Sequence, residues 1–501
     1  MNVPAVSKPN VFVAHPGWLT AAIMAATVMQ VLDTTIANVA LPHMAASLGA
    51  SQDEISWVLT SYIVAVAIAT PLTGWVSDRL GRRAVFAIAI GGFTAASLLC
   101  GIAQGLEEMV AFRIAQGIFG AVIIPLAQAV ILDINPREKI GQAMAIYGAG
   151  IMVGPIVGPT LGGWLTDVFN WRYVFFVNLP VGAAALAGVL VFMPRDPIKL
   201  RRFDFFGFAM LAIAIGALQL MLDRGEAVDW FDSLETWIYL GLSISGFWVF
   251  VIHCWTADEP FIDLRIFADR NFSMGLIFIF MIGLTLFSGL ALLPPMLQKL
   301  LGYPVVTTGL VMAPRGVGTM ISMILVGRLV SRHDPRILVI FGLILSAWSQ
   351  WMMAGFDITM DRWPIVTSGI VQGLGLGFVF VPLSTLTFGT LAARFRGDAT
   401  SLFSLVRNVG SGVGISIVTT VLSRMTTVNH EELAARLTAT APQVARQVPA
   451  LLTGNPVYAR MIDGVVTRQA AMIAYVDNFL LMMLFTVAAL PIAFLLRKPA
   501  R

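Results

Sequence analysis

Fourteen windows of predominantly apolar residues run along this 501-residue chain. Each is close to the roughly 20 residues that a helix needs to cross a bilayer core. They fall at 17–41, 54–75, 84–103, 108–132, 141–165, 172–193, 204–222, 237–256, 273–297, 307–330, 336–354, 364–390, 400–424 and 474–496. In hydrocarbon every backbone N–H and C=O must be satisfied internally, so such windows fold as α-helices. The charged fraction agrees: it is 12%, against about 25% in soluble domains. The expectation is an all-α polytopic membrane protein with 14 transmembrane helices. Before the first window the only basic residue is Lys8, and no small-residue cleavage site follows, so that window reads as a retained helix. Cys100 and Cys254 fall toward opposite faces, which predicts no disulfide.

Basic residues orient the helices. With the N-terminus inside, the inside loops and tails hold twenty Lys and Arg, clustered at Arg79/Arg82/Arg83, Lys199/Arg201/Arg202 and Arg328/Arg332/Arg336. The six short outside loops hold four: Arg172, Arg224, Lys299 and Arg362. The positive-inside rule then places both termini in the cytoplasm. The net charge of +4 thus has a membrane origin, and no nucleic-acid partner is expected. Three arginines remain within spans: Arg113, Arg315 and Arg407.

An internal repeat sets the organisation. "GWVSDRLGRR" (74–83) after the second window is echoed by "GRLVSRHDPR" (327–336) after the tenth. Helices 9–14 then repeat helices 1–6, around a cavity at the membrane midplane, which is transporter architecture. The expected parts are a cytoplasmic tail (1–16), a six-helix half (17–193), two inserted helices with their loops (194–256), a second six-helix half (257–496) and a short tail (497–501). The second half includes a long outside loop, 425–473. In it "HEELAARL" (430–437) and "VVTRQAAMIAYVDNF" (465–479) predict two short helices on the outer surface, interrupted by Pro442 and Pro449.

Asp33 is the one acid found well inside a span. A charge at that depth costs about 2.5–3.5 kcal/mol on insertion scales, which marks it as functional. Helical spacing puts Thr27, Gln30, Asp33, Thr34 and Asn38 on one arc, facing a cavity or another polar surface. Burial favours the neutral acid and a nearby cation favours the carboxylate. An acid balanced between them can load and release a proton, and Asp33 is the expected carrier. Arg113 lies at a similar depth in helix 4, on a face with Gln116, Gly117, Gly120 and Gln128, and is its natural partner. Gln30, Thr34, Asn38, Gln116, Arg315 and Arg407 are candidates to line a substrate cavity.

Four motifs carry a family resemblance. They are "LDTTIANVALP" (32–42), "GWVSDRLGRR" (74–83), "RIAQGIFGA" (113–121) and "GAGIMVGPIVGPTLGG" (148–163). With "WRYVFFVNLPVG" (171–182), "LDRGEAVDWF" (222–231) and "RNFSMG" (270–275), they resemble the fourteen-helix drug:proton antiporters of the major facilitator superfamily. The likeness covers nearly the whole chain and is greatest to the EmrB-type branch of the EmrB/QacA subfamily. It implies the major facilitator fold and proton-driven export of amphipathic drugs from the bacterial inner membrane. Three embedded arginines against one acid should repel multivalent cations, so small hydrophobic substrates that are neutral or weakly acidic are expected. The resemblance also implies that Arg113 assists proton transfer. In Gram-negative hosts it makes the loop 425–473 a candidate docking element for a periplasmic adaptor and an outer-membrane channel.

Two motifs read as moving parts. In the first, Gly74 and Gly81 permit tight turns and close approach, beside Asp78, Arg79, Arg82 and Arg83. Arg82 is placed to pair with Asp133 at the cytoplasmic end of helix 4, forming a latch for the outward-facing state. In the second, Gly150, Gly154, Gly158 and Gly162 recur every four residues, with Pro155 and Pro159 between them. That small-residue stripe lets helices touch, and the prolines favour a bend. It predicts a close-packed hinge between the two halves that seals against proton leak.

The five histidines form no metal-ligand pattern, and no phosphate-binding loop is present. No enzyme activity, metal or cofactor is expected, and energy must come from an ion gradient, which the resemblance implies is a proton gradient. Two alternatives stay open: an exporter of one dedicated metabolite or siderophore, and a receptor or assembly subunit that no longer transports.

Overall fold

The computed structural model describes residues 14–136, 139–195, 198, 202–330, 332–437 and 456–495. The C-terminal tail, most of the N-terminal tail and the centre of the outside loop with Pro442 and Pro449 lie outside the described residues. Thirteen described helices are long and apolar enough to cross a membrane, and a bent pair makes the fourteenth. In chain order they are α1 (Pro16–Leu48), α2 (Trp57–Ala69 with Leu72–Leu80), α3 (Arg82–Ile102), α4 (Leu106–Ile134), α5 (Ile140–Val168), α6 (Tyr173–Phe192) and α7 (Phe205–Arg224). They continue as α8 (Leu234–Thr256), α9 (Arg270–Leu300), α10 (Val305–Leu329), α11 (Pro335–Met353), α12 (Trp363–Gly389), α13 (Arg396–Arg436) and α14 (Val457–Ala493).

Local sequence explains the breaks. The two segments of α2 meet at 60° around Thr70–Pro71, where proline has no N–H to continue the ladder. α5 is interrupted at Met152, just before Gly154 and Pro155. α9 closes in a π-turn, Met296–Leu300, directly after Pro294 and Pro295. Gly49 ends α1 in the left-handed conformation at φ 67°. Ser51 and Glu54 then form a reciprocal capping box that starts the approach to α2.

Lipid is as apolar as leucine, so van der Waals fit between helices takes over from the hydrophobic effect. α1 packs along α5 and α6; α10 packs along α12, and α9 along α13. Leu19, Ile23, Phe86 and Phe93 are fully enclosed in the first half, as are Met296 and Phe479 in the second. α7 stands between the halves. Its Gly216 sits against Ile68 of α2 and its Gln219 against Gly412 of α13. The following turn places Trp230 Nε1 3.0 Å from Thr420 Oγ1 of α13. α8 packs on α7 and turns Trp237, Trp248 and Trp255 outward.

The outside loop departs from expectation. There are no separate short helices in its described parts. α13 runs unbroken through "HEELAAR" to Arg436, and the helix of α14 begins at Pro456. Strong helix formers carry both helices past the apolar windows that sequence scanning detects. The two extensions meet where His430 Nε2 lies 2.9 Å from Asp463 Oδ1.

Candidate functional site

α1 places Asp33 inside the first six-helix half. Arg113 Nη1 donates to Asp33 Oδ2 at 2.7 Å, and both side chains are fully buried. Gln116 Nε2 donates to Asp33 Oδ1 at 2.9 Å, and Asn178 Nδ2 donates to the same oxygen at 2.7 Å. Ser97 Oγ accepts from both amides, at 3.2 Å from Gln116 and 2.8 Å from Asn178. Arg113 Nε donates to the Val58 carbonyl at 3.0 Å, and its guanidinium lies 4.2 Å from the centre of the Tyr62 ring. Five helices, α1, α2, α3, α4 and α6, therefore converge on one carboxylate.

A buried ion pair survives only when its remaining polar atoms are also satisfied. Here three donors share the two oxygens of Asp33, and of the Arg113 nitrogens only Nη2 is left without a hydrogen bond. Arg113 does not snorkel to the outer surface. Its cost of burial is offset by the carboxylate, the carbonyl and the aromatic face. Chemically, the arrangement is a sealed acid. A proton arriving on Asp33 would remove the charge that holds Arg113, and so loosen the joint among these helices.

The polar arc of α1 divides in space. Thr27, Gln30 and Asp33 are buried, whereas Thr34 is half-buried and Asn38 is exposed. Thr34 Oγ1 turns back to the Val31 carbonyl at 2.7 Å. Gln116 belongs to the Asp33 network and not to a cavity wall, because its amide is used by Asp33, Ser97 and Arg113. Arg315 is buried within the second half, against Gly369 and Gly373 of α12. Arg407 of α13 is half-buried, with Nη2 3.5 Å from Asn408 Oδ1. Asp223, near the C-terminal end of α7, accepts a hydrogen bond from Thr60 of α2.

At the end of α4 that the positive-inside rule assigns to the cytoplasm, Arg82 pairs with Asp133. The carboxylate is shared. Arg396 Nη1 lies 2.5 Å from Asp133 Oδ1 and also donates to the Leu132 carbonyl at 3.2 Å. Arg396 opens α13, so the latch joins the two halves. The stretch 74–83 is not a loop: Gly74 to Leu80 is helical, and Gly81 alone makes the corner, at φ 81°. Gly74 is needed for proximity, since a Cβ there would collide with Asp398 of α13. Asp78 is half-buried and Arg79 exposed, and Arg83 donates to the Leu190 carbonyl.

The glycine stripe also corrects its expectation. A Cβ at Gly154 would lie 2.9 Å from Val31 Cγ1, and one at Gly162 would lie 3.1 Å from Ile36 Cγ2. Gly150 faces Met24 and Gly158 faces Thr35. The stripe thus seats α5 on α1 of its own half. The joint between the halves uses other residues: Gly163 meets Val305, while Gly309 and Gly316 of α10 meet Thr160 and Ile156. Pro159 lies within the second segment of α5 and Pro155 near its start.

Sequence reasoning gave no role to Ser97, Asn178, Arg396 or Asp398. Asn178 does sit in the quoted "WRYVFFVNLPVG", where an amide among apolar residues is a signal of the kind that marks Asp33.

Comparison with known proteins places this geometry. Residues 23–415 match the family described as Major Facilitator Superfamily. The chain is 36% identical over 422 residues to the Multidrug export protein EmrB of Escherichia coli (strain K12), covering 83% of this chain and 82% of that one. It is 35% identical over 490 residues to the Fatty acid resistance protein FarB of Neisseria gonorrhoeae, covering 96% of each. Among solved structures it resembles the human organic anion transporter MFSD10 (TETRAN), with TM-score 0.59 and 15% identity over 94% of this chain and 99% of that one. The chain belongs to the Major Facilitator Superfamily, in the branch of the EmrB multidrug export proteins.

Proposed function

We propose that the protein is a proton-driven multidrug exporter of the bacterial inner membrane, with both termini in the cytoplasm. It carries neutral or weakly acidic hydrophobic compounds by alternating access. The observation that carries the reading is the Asp33–Arg113 pair, sealed among five helices while the latch at Asp133 is closed. Protonation of Asp33 frees Arg113, the helices of the first half shift, and the latch opens toward the cytoplasm. Deprotonation re-forms the pair and restores the outward-facing state. The relatives named for multidrug export and for fatty acid resistance support the substrate class. So do Arg315 and Arg407, which add positive charge to the second half and disfavour multivalent cations.

The outer extensions of α13 and α14 support docking of a periplasmic adaptor. Val457, Met461 and Val465 recur every four residues and are 61%, 64% and 62% exposed on a helix that stands beyond the apolar window. The decisive experiment is flux in reconstituted vesicles. An imposed proton gradient should drive uptake of a hydrophobic weak acid, and a protonophore should abolish it. Uptake indifferent to the gradient would refute proton coupling.

A further inference from the structure

Asp33 is held by donors. Among the described residues its carboxylate accepts from Arg113 Nη1 at 2.7 Å, Gln116 Nε2 at 2.9 Å and Asn178 Nδ2 at 2.7 Å. Such a shell suits a carboxylate, which only accepts. It does not suit the same group once it carries a proton. A protonated carboxyl has an O–H of its own to donate. Asp33 is fully buried, and a donor left unpaired at that depth is costly. One of the three partners must therefore turn an oxygen toward the acid.

Arg113 has no acceptor to offer. Gln116 is fixed by its oxygen, since Oε1 accepts from Arg113 Nη1 at 2.7 Å and lies 3.7 Å from Cys100 Sγ. Turning that amide would set its NH₂ against the guanidinium. Asn178 is different. Its Nδ2 lies between Asp33 Oδ1 and Ser97 Oγ, 2.7 Å and 2.8 Å away. The carboxylate sets this orientation, because Oδ1 in the same place would face another oxygen. Both neighbours can reverse their roles. Asp33 gains a proton to donate. Ser97 has a hydroxyl, now donated to the Phe175 carbonyl at 3.1 Å, that can rotate without moving its oxygen. It goes on accepting from Gln116 Nε2, 3.2 Å away.

We propose that Asn178 is the positioning residue of the protonated state: its side-chain amide turns over when Asp33 takes up a proton, so that Oδ1 accepts from the acid O–H and from Ser97. The inference rests on the reading of Asp33 as the proton carrier. The acid O–H is the one covalent bond formed, and release of the proton reverses every turn. The consequence falls on α6. Val177 separates its short first segment, Tyr173–Phe176, from Asn178–Phe192. Phe175 of that segment is held twice, by Ser97 at its carbonyl and by the Arg113 guanidinium 5.7 Å from its ring centre. Protonation loosens both holds together.

The test is infrared difference spectroscopy of the purified full-length protein as pH is lowered, with asparagine isotope-labelled at the side-chain carbonyl. The wild type should show a protonated-carboxyl band that is lost in Asp33→Asn. A labelled-asparagine band should shift over the same pH range, and that shift should also be absent from Asp33→Asn. An asparagine with a merely structural role would not follow the titration of the acid. Donating its O–H lowers the C=O stretch of a carboxyl group. Asn178→Leu keeps the bulk without an acceptor, so it should raise the frequency of the acid band. If Asn178→Leu does not fold, the asparagine band of the wild type decides alone. An acid band at one frequency in both proteins, or an asparagine band indifferent to pH, overturns the switch and leaves Asp33 as the carrier. A wild type with no Asp33 band at any pH overturns the carrier and the switch together.

Discussion

Asp133 of α4 and Arg396 of α13 tie the two halves together at one end of the bundle, in a pair whose side chains are 5% and 3% exposed. Breaking one side of a buried pair strands the other charge, at a cost of about 3–5 kcal/mol. Arg396→Ala should therefore favour the cytoplasm-open state. Arg82, 23% exposed on the same carboxylate, is partly screened by solvent, and Arg82→Ala should shift the balance less. Thiol labelling of a cysteine placed at the cytoplasmic mouth reads the shift directly. Equal labelling in wild type and Arg396→Ala would remove the latch from the mechanism.

The seat of α5 on α1 predicts steep positional effects. Gly158→Ala pushes a methyl into Thr35 and should cost about 1–3 kcal/mol, the range for overpacking. Gly464→Ala, where nothing lies within 4 Å inside the helix of α14, should be stabilising by up to about 1 kcal/mol, since alanine is the better helix former. Apparent melting temperatures of the two purified variants make the comparison. A Gly158→Ala variant as stable as Gly464→Ala would mean that the stripe tolerates a gap between α1 and α5.

Substrate charge should follow the arginines. Replacing Arg407 by Ala is expected to lower export of a hydrophobic weak acid several-fold more than export of a neutral dye. The wild type should protect cells poorly against a dicationic dye. Strong protection against the dication, or equal losses for acid and neutral compounds, would show that Arg407 does not meet the cargo.

The outer stalk makes a separable prediction. Met461→Lys with Val465→Lys should leave vesicle transport intact but weaken co-purification with an adaptor and export across the full envelope. The substitutions lie on an exposed helix face, so folding should be unaffected. If adaptor retention is unchanged, the face serves another purpose.

Much of this was legible in the sequence, for identifiable reasons. Asp33 and Arg113 stand out because charge inside an apolar window is costly. Arg82 and Asp133 follow from the motif and the span ends. Arg396 was hidden, because any basic residue at a cytoplasmic helix end satisfies the positive-inside rule equally well. Ser97 was hidden because serine is common in membrane helices. Gly74 read as a turn residue, yet what demands glycine is Asp398, contributed by a helix more than three hundred residues away. The stripe at 150–162 announced close packing, but periodicity does not say against which helix. Helix continuation past Arg424 was invisible to a hydropathy window that ends where lipid does.

The central claim is that Asp33 couples export to protons, and one comparison tests it most directly. In vesicles, substrate counterflow needs only alternating access, whereas concentrative uptake also needs the proton cycle. Asp33→Asn keeps the side-chain shape but not the charge. The account predicts that Asp33→Asn loses gradient-driven uptake in vesicles while still binding substrate, inserting and folding. Full gradient-driven uptake by a well-inserted Asp33→Asn protein would contradict it.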